Sequence, residues 1–524
     1  MQAFREWAPE WLIRLTILLV IAPGFLVLGL YGGNLTEAAG FYGIEPADAQ
    51  YSILVYYVGL ASFFPLEQRL VSYFTTRHYF LFGVFLMTGC NYLLYTVREP
   101  FFFLLLRFVE GICISGIMAT GMSLIFSRLA DGRARIMGYA IFYGLLMASA
   151  SLSLQVASSA LHYFDFYVLY QLLIYLQLPG AILLFFLLKD VRLRPRIPLY
   201  QVELPSFILL VAALLLWGYT MVYGQQENWL DSPKIVTAAL VGSGLTVLFV
   251  MRQQALKRPF IRLELLRNGP FVVSLLVLLF FYICRGTLGL AMQYFSSVLQ
   301  LDPLHISLLM IPNLAGIALG TAVIPRFLLR KKSIQLIWLS GFGLLAVYHL
   351  WMYGLFDSEV EMIDFIGPLF CQGVGVAVLM VPVIHFSVSS VPASVSSHAT
   401  ALGVITRYLG FSLSIALLNF SRLYAKSIHY HRIQEQVTVL NPYTGERLAQ
   451  YKQQLIDHGM QAEPAALAAQ KGLGQAVDLQ AQLRYSMDYY LLMAGLIGVV
   501  MIGIALMPYL KSKLVFSKQP PVPF

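Results

Sequence analysis

Charged residues are scarce in this 524-residue chain. Asp, Glu, Lys and Arg together make up 12% of it, whereas a typical soluble domain carries about 25%. Hydrophobic residues make up 59%, and the mean hydropathy is +0.73. This composition excludes a soluble globular protein and predicts a chain that crosses a lipid bilayer many times.

Motifs for enzymatic, nucleotide or metal chemistry are also missing. The four cysteines fall inside apolar runs, with neither disulfide nor metal-site spacing. The chain has no GxxxxGK[ST] loop, no HExxH and no GxSxG, and no repeated segment that resembles a channel filter. We therefore predict no enzyme, no cofactor and no primary pump. The net charge of +9 is not taken as a sign of nucleic-acid binding.

Apolar runs of spanning length recur about every 30 residues. The sequence predicts about fourteen transmembrane helices in an all-α polytopic membrane protein. We place them at 11–32, 50–68, 78–97, 100–126, 135–159, 164–188, 205–223, 234–251, 271–298, 304–325, 334–355, 362–387, 398–424 and 486–510. Spans 1–6 and 9–14 each suffice for a six-helix bundle, and spans 7 and 8 are two extra central helices.

This span count predicts a domain plan. The predicted parts are an N-terminal bundle at 1–190, linkers with the two extra spans at 191–267, a C-terminal bundle at 268–424 and 486–511, an extracytoplasmic loop with short helices at 425–485, and a tail at 512–524.

Lys and Arg collect on every second loop, for example Lys189 to Arg196 after span 6 and Arg252 to Arg267 after span 8. The alternate loops are acidic or neutral. The positive-inside rule therefore predicts that both termini are cytoplasmic, in an inner cell membrane.

The long polar segment 425–485 then lies outside. Asn441 before Pro442 predicts a helix start, Gly459 predicts its end, and a second polar helix from about Glu463 is expected to run into the last span. A cap over the outer mouth and a solvated hairpin are both compatible with this pattern.

Span 4 carries two charges near its middle, Arg107 and Glu110. They are three residues apart and share one helix face, so they can pair. Intramembrane charges are costly and usually face a bundle interior or a water-filled path. Glu110 is the predicted proton carrier with Arg107 beside it, and a purely structural ion pair is the alternative. Gly111 and Gly116 offer close helix approach.

Other polar residues are candidates for a substrate cavity. Arg285 lies well inside span 9 without a local acidic partner, and a helix-to-helix lock is its alternative role. The remaining cavity candidates are Asn34, Gln155, Gln293, Asn313 and Gln372, although such residues also simply satisfy neighbouring helices. The many aromatic residues (31 Tyr, 36 Phe and 6 Trp) suit an apolar pocket, an interfacial belt or a lipid-facing surface.

Several segments resemble the major facilitator superfamily, in particular its fourteen-span drug:proton antiporters. LLLRFVEGICIS, with Arg107, Glu110 and Gly111, is similar to that family's span-4 R-x-x-Q-G pattern. TRYLGFSLSIAL resembles its span-13 R-x-L-G-x-x-x-G segment, with Arg407 and Gly410 in place and Ser414 at the last glycine. The resemblance implies two six-helix bundles that work by alternating access, and a structural role for Arg407 and Gly410.

The chain departs from this family between spans 2 and 3. The family pattern G-x-L-A-D-R-x-G-R-[RK] is replaced by QRLVSYFTTR, so Ser72 stands in place of the Asp and both glycines are lost. The gating latch is therefore expected to be altered. Arg69 and Arg77 remain, and Glu67 is a candidate to replace part of the lost acid. The antiporter motif of span 5 is also missing.

The sequence thus predicts a secondary transporter, with proton-coupled export of lipophilic or amphiphilic small molecules as its main hypothesis. One alternative is an organic-anion transporter that uses Arg107 and Arg285. The other is a non-transporting sensor or structural protein on the same fold. The expected partners are a small-molecule substrate, the proton, the bilayer and a periplasmic adaptor protein, with the monomer as the working unit.

Overall fold

The computed structural model describes residues 4–128, 132–190, 203–330, 333–438 and 440–507. Within these ranges the chain forms eighteen α-helices. They are α1 Glu10–Gly33, α2 Leu35–Tyr42, α3 Pro46–Tyr73, α4 Thr76–Thr96, α5 Pro100–Arg128, α6 Gly132–Tyr163, α7 Val168–Leu187, α8 Leu204–Tyr223, α9 Pro233–Ala255, α10 Gly269–Arg285, α11 Thr287–Ser297, α12 Pro303–Leu329, α13 Ile334–Leu355, α14 Ile366–Ser389, α15 Ser396–Phe420, α16 Lys426–Gln434, α17 Pro442–Asp457 and α18 Ala462–Leu506.

Fourteen helical segments in the described ranges are long and apolar enough to span a membrane, which confirms the predicted count. Spans 1 to 12 begin and end within about one helical turn of their predicted limits. Span 9 consists of α10 and α11, which are separated at Gly286. Because apolar length is set by bilayer thickness, these segments can be recognised without tertiary information.

The last two spans are longer than predicted. Helix α15 continues through a π-helical turn, Ser421–Ala425, into α16. Helix α18 has 45 residues and is therefore about 68 Å long, more than twice the hydrocarbon thickness. Residues 424 and 485, where the domain plan has boundaries, both lie within these continuous helices.

The polar segment before the last span is largely helical. Helix α17 packs on α18 and begins as predicted at Asn441, whose side chain accepts a hydrogen bond from the Tyr443 amide at 3.1 Å. It is followed by Gly459 with φ = +90°, a conformation that favours glycine. The second polar helix does run into the last span, as the sequence predicted.

The spans pack as two bundles with an extra pair. The first bundle contains α1 and α3 to α7, and the second contains α10 to α15 and α18. Contacts of α6 with α12 and of α3 with α15 join the bundles, while α8 lies against α3 and α15 and carries α9. We call the face where α1 begins and α18 ends the terminal side, and the face that carries α17 the distal side.

The same close approach of two helices, made possible by glycines, occurs in both bundles; we call it the glycine crossing. A Cβ on Gly111 of α5 would collide with the Tyr56 carbonyl of α3, and one on Gly59 with the Phe108 carbonyl. In the second bundle a Cβ on Gly373 of α14 would collide with the Asn313 carbonyl of α12. Gly316 meets the Phe370 carbonyl in the same way. The spacings agree residue by residue, so α3–α5 and α12–α14 are equivalent crossings of two repeated halves.

Candidate functional site

A cavity of about 80 Å³ lies between the bundles. Helices α1, α3, α5 and α6 of the first bundle and α15 of the second supply its wall, which consists of Phe25, Leu28, Tyr56, Leu60, Phe64, Ile114, Ser115, Met118, Ala119, Met122, Phe142, Tyr143, Leu146, Thr400, Val404 and Arg407. A drug-sized ligand needs roughly 300–1,000 Å³. This cavity is therefore too small, as it stands, to enclose such a ligand.

Two polar contacts hold the bundles together toward the distal side. Asn419 of α15 donates from Nδ2 to Gln50 of α3 at 3.1 Å and to the Val222 carbonyl of α8 at 3.1 Å. Gln155 of α6 donates from Nε2 to the Ser307 carbonyl of α12. Both links join helices of opposite bundles, so they close the distal end of the interface.

The predicted charge pair is present and fully buried. Arg107 and Glu110 form an ion pair, and their exposed fractions are 1% and 0%. The Arg107 guanidinium lies 4.2 Å from the Tyr31 ring centroid and 4.6 Å from that of Tyr56, which adds cation–π stabilisation. The pair lies inside the first bundle and does not line the cavity, but Tyr56 touches Arg107 and also forms part of the cavity wall.

A chain of tyrosine hydroxyl groups lies beside this pair. Tyr31 and Tyr42 both hydrogen-bond to the Tyr170 hydroxyl, the second at 2.8 Å, and Tyr42 donates to the Leu94 carbonyl at 2.9 Å. By contrast, Glu110 Oε1 and the Tyr56 hydroxyl have no hydrogen-bond partner. The carboxylate thus keeps one unused acceptor in an apolar interior, where an unsatisfied polar atom is costly.

Two further arginines lie at the boundary between the bundles. Arg285 Nη2 donates to the Met147 carbonyl of α6 at 3.0 Å. The Arg407 guanidinium lies 6.0 Å from the Tyr143 ring and lines the cavity, and its buried Nε has no partner. Among the described residues no carboxylate forms an ion pair with either arginine.

The second bundle has a neutral polar cluster at its glycine crossing. Asn313 Nδ2 donates to Gln372 Oε1 and to the Leu369 carbonyl at 3.2 Å. Ser151 of the first bundle donates to Asn313 Oδ1 at 2.9 Å. Asn313 and Gln372 are each 1% exposed and do not line the cavity. Asn313 joins the two bundles through its hydrogen bond with Ser151.

The other predicted residues have local roles in this conformation. Asn34, between α1 and α2, donates to the Leu30 carbonyl at 2.9 Å, and Gln293 is half-buried in α11. Arg77 lies 4.4 Å from the Phe185 ring. Glu67 is buried near the terminal end of α3, whereas the side chains of Arg69 and Ser72 lie outside the described set. A Cβ on Gly410 would lie 2.9 Å from the Leu279 carbonyl, so α15 approaches α10 closely there.

Sequence reasoning did not identify most of the cavity wall. Of the predicted site residues, Arg407 lines the cavity, while Arg285 and the five amide candidates are absent from its wall. The aromatic wall residues, including Tyr56, Phe142 and Tyr143, were not distinguished from lipid-facing aromatics. Of these residues Tyr56 contacts Arg107, a charged residue that the sequence did single out.

Paired six-helix bundles around a central cavity define a multi-pass transporter fold. The sequence pattern of the Major Facilitator Superfamily matches residues 17–415, and the chain belongs to this superfamily.

Curated relatives include drug-resistance proteins. The chain is 24% identical to the colistin resistance protein EmrB of Acinetobacter baumannii over 50% of this chain and 51% of that protein. It is 20% identical to the multidrug resistance protein Stp of Mycobacterium tuberculosis over 77% of this chain and 75% of that protein. The chain thus spans about half of the length of the first relative and three quarters of the second.

Solved structures support the fold. A POT family transporter in complex with 5-aminolevulinic acid superposes with a TM-score of 0.63 at 15% identity, over 98% of this chain and 99% of that chain. A peptide transporter POT in complex with sulfate gives a TM-score of 0.63 at 12% identity, over 98% and 97%. Identities this low show a shared fold and nothing about the ligand.

Proposed function

We propose that this transporter exports lipophilic or amphiphilic small molecules by alternating access, driven by proton entry through Glu110. The observation that carries the proposal is the cavity between the bundles, whose wall is mainly apolar and aromatic and suits ligands with large apolar surfaces. The names of the relatives, which include colistin and multidrug resistance, support export of such compounds. They also favour transport over a purely sensory role.

Glu110 is suited to carry the proton because it is buried, paired and half-satisfied. In this conformation Arg107 compensates its charge, while Oε1 has no partner. Tyr56 lies between Arg107 and the cavity. When the bundles separate, a shift of Tyr56 would admit water to the carboxylate, so loading and release of a proton become linked to the opening of the cavity.

The setting proposed for this activity is an inner cell membrane, with both termini in the cytoplasm and the α17–α18 hairpin outside. The basic loops on the terminal side support this orientation. We further propose that the monomer is the transporting unit, that the domain plan describes its working parts, and that a periplasmic adaptor protein is a partner on the distal side.

The direct test is ligand-dependent proton movement in proteoliposomes that contain a pH-sensitive dye. We expect the lumen of wild-type vesicles to become more alkaline when a transported cationic, neutral or anionic amphiphile is added outside, because an antiporter exchanges each ligand molecule that enters for protons that leave. Glu110→Gln should reduce this proton flux at least about tenfold, the scale of one general acid–base group or more. Glu99→Gln is the matched control, because Glu99 is an exposed acid just before the same helix. Unchanged proton coupling in Glu110→Gln would refute the proton-carrier assignment.

A second candidate is the transport of organic anions, and a specific observation favours it. Arg285 and Arg407 lie at the bundle boundary without a described carboxylate partner, and a relative at 24% identity is the fatty acid resistance protein FarB of Neisseria gonorrhoeae. The sequence suggested Arg107 as the second cation. In the structure Arg107 pairs with Glu110, so Arg407 is the cation available beside Arg285.

The two candidates are separated by charge selectivity. If anions are recognised here, Arg285→Gln and Arg407→Gln should each raise KM for an alkyl carboxylate at least about tenfold, because a charge-assisted hydrogen bond contributes about 1.5–3 kcal/mol. The KM for a neutral analogue should stay unchanged. Arg326→Gln, an exposed cation on the terminal side, is the control. Flux that survives Glu110→Gln but is lost in Arg285→Ala would favour anion recognition over proton coupling at Glu110.

A further inference from the structure

A basic pocket lies on the terminal side, between the end of α9 and the start of α10. Its volume is about 600 Å³, and it is separate from the cavity between the bundles. Lys257, Arg262 and Arg267 contribute to its wall together with a single carboxylate, that of Glu264. Leu256 and Leu263 add apolar surface. The pocket therefore combines a cationic rim with an apolar part.

The backbone around this pocket is held in place by a buried side chain. Gln253, 4% exposed, accepts hydrogen bonds at Oε1 from the amides of Phe260 and Ile261 at 2.7 and 3.2 Å. Its Nε2 donates to Ser206 of α8 at 3.1 Å. Phe260 and Ile261 are themselves buried. The segment after α9 is thus fixed against α8, and the pocket is a built feature of the fold.

The three cations of the pocket outnumber its acidic residues. Among the described ion pairs none involves Lys257, Arg262 or Arg267, whereas nearby Arg252 is bound to Glu203 at 3.0 Å. All three are exposed. Three cations against one carboxylate favour an anionic ligand, and arginine forks match the geometry of phosphate oxygens.

The position of the pocket indicates where such an anion comes from. Helix α9 packs on α8 and exposes the apolar side chains of Val247, Leu248 and Met251, as expected for a surface in contact with lipid tails. This surface leads to the end of α9, where the pocket begins. A ligand with an anionic head in the pocket could therefore place its apolar tail along α9.

We propose that this pocket binds the phosphate headgroup of an anionic phospholipid in the leaflet on the terminal side. Lys257, Arg262 and Arg267 hold the phosphate oxygens, and Leu256 and Leu263 contact the first part of the acyl chains. The bound lipid links the end of the extra helix pair to the start of α10 in the second bundle.

The test is lipid binding by the full-length protein in detergent, measured by native mass spectrometry with added phosphatidylglycerol or phosphatidylcholine. Wild-type protein should bind phosphatidylglycerol at least about tenfold more tightly than phosphatidylcholine. The variant Lys257→Gln/Arg262→Gln/Arg267→Gln should lose this preference. The matched control, Arg258→Gln/Arg326→Gln/Arg330→Gln, removes three exposed terminal-side cations that do not line the pocket, and it should keep the preference.

Three results would overturn the proposal. One is a pocket variant that still prefers phosphatidylglycerol to phosphatidylcholine and that, in phosphatidylcholine, has the melting temperature of the wild-type protein. Another is an equal loss in the control variant, which would indicate a diffuse surface field. The third is displacement of phosphatidylglycerol by glycerol phosphate at equal concentration, which would assign the site to a soluble phosphate compound.

Discussion

Glu110 of α5 and Gln372 of α14 occupy equivalent positions in the two bundles. Each directly precedes the glycine that contacts the carbonyl of the crossing helix, Tyr56 in one case and Asn313 in the other. One turn earlier, Arg107 corresponds to Leu369. The first bundle therefore contains a buried ion pair where the second contains a leucine and a hydrogen-bonded amide.

This equivalence predicts a strong coupling between Arg107 and Glu110. Arg107→Leu alone leaves a buried carboxylate without compensation and should lower the free energy of unfolding by about 3–5 kcal/mol. The double variant Arg107→Leu/Glu110→Gln recreates the residues of the second bundle and should be more stable than Arg107→Leu. Thermal unfolding of both single variants and the double variant in detergent measures this coupling. Additive losses would show that the pair does not act as a unit.

The glycine crossings predict a steric limit. Gly111→Ala and Gly373→Ala should each lower the free energy of unfolding by about 1–3 kcal/mol, because the added methyl group displaces a backbone carbonyl of the neighbouring helix. Gly495→Ala in α18 is the control, since a Cβ there meets no atom within 4 Å. Equal melting temperatures for all three variants would contradict the close approach.

The distal closure predicts a shift in conformation. Asn419→Ala removes the hydrogen bonds from α15 to Gln50 and to the Val222 carbonyl. One such hydrogen bond contributes about 1 kcal/mol to the stability of the distal-closed state. Its loss should therefore raise the population of the distal-open state roughly fivefold. Distances between spin labels on the distal ends of α3 and α15 report this change. Gln453→Ala, on the exposed surface of α17, should leave the distances unchanged, and the idea fails if both variants behave alike.

The start of α12 predicts a stability change with pH. The His305 backbone amide donates to the Asp302 carboxylate at 2.9 Å. This hydrogen bond is the main cause that holds the pKa of Asp302 below its ordinary value, and the contact with the His305 side chain adds to the effect. The unfolded chain therefore takes up the proton at a higher pH, near 3.9. The stabilisation is present above that pH and is lost as the pH falls through the lower, folded-state pKa.

Melting temperatures between pH 3 and pH 6 test this prediction. Asp302→Asn keeps a capping acceptor but cannot titrate, so its melting temperature should fall less steeply on acidification than that of the wild type. Asp457→Asn, an exposed acid at the end of α17, should follow the wild-type curve. Parallel curves for all three proteins would exclude Asp302 as a contributor.

The candidate site could be predicted only where its contacts are local in sequence. Arg107 and Glu110 are three residues apart on one helix, so helix geometry alone indicates their pairing. Arg285 and Arg407 lie in different helices, and nothing in the order of residues places both at the bundle boundary. Asn313 and Gln372 were recognised as intramembrane amides, but their hydrogen bond depends on the crossing of α12 and α14.

The sequence by itself determined the fourteen spans and the charged residues among them, because the bilayer imposes a length and an apolar composition on each helix separately. The tertiary structure decided which aromatic side chains line the cavity and that Arg107 forms an ion pair with Glu110. It also decided that Arg285 and Arg407 both lie at the boundary between the bundles, and that the polar part of α18 packs against α17. These features depend on side-chain packing between helices that are distant in the chain, and hydropathy carries no information about such contacts.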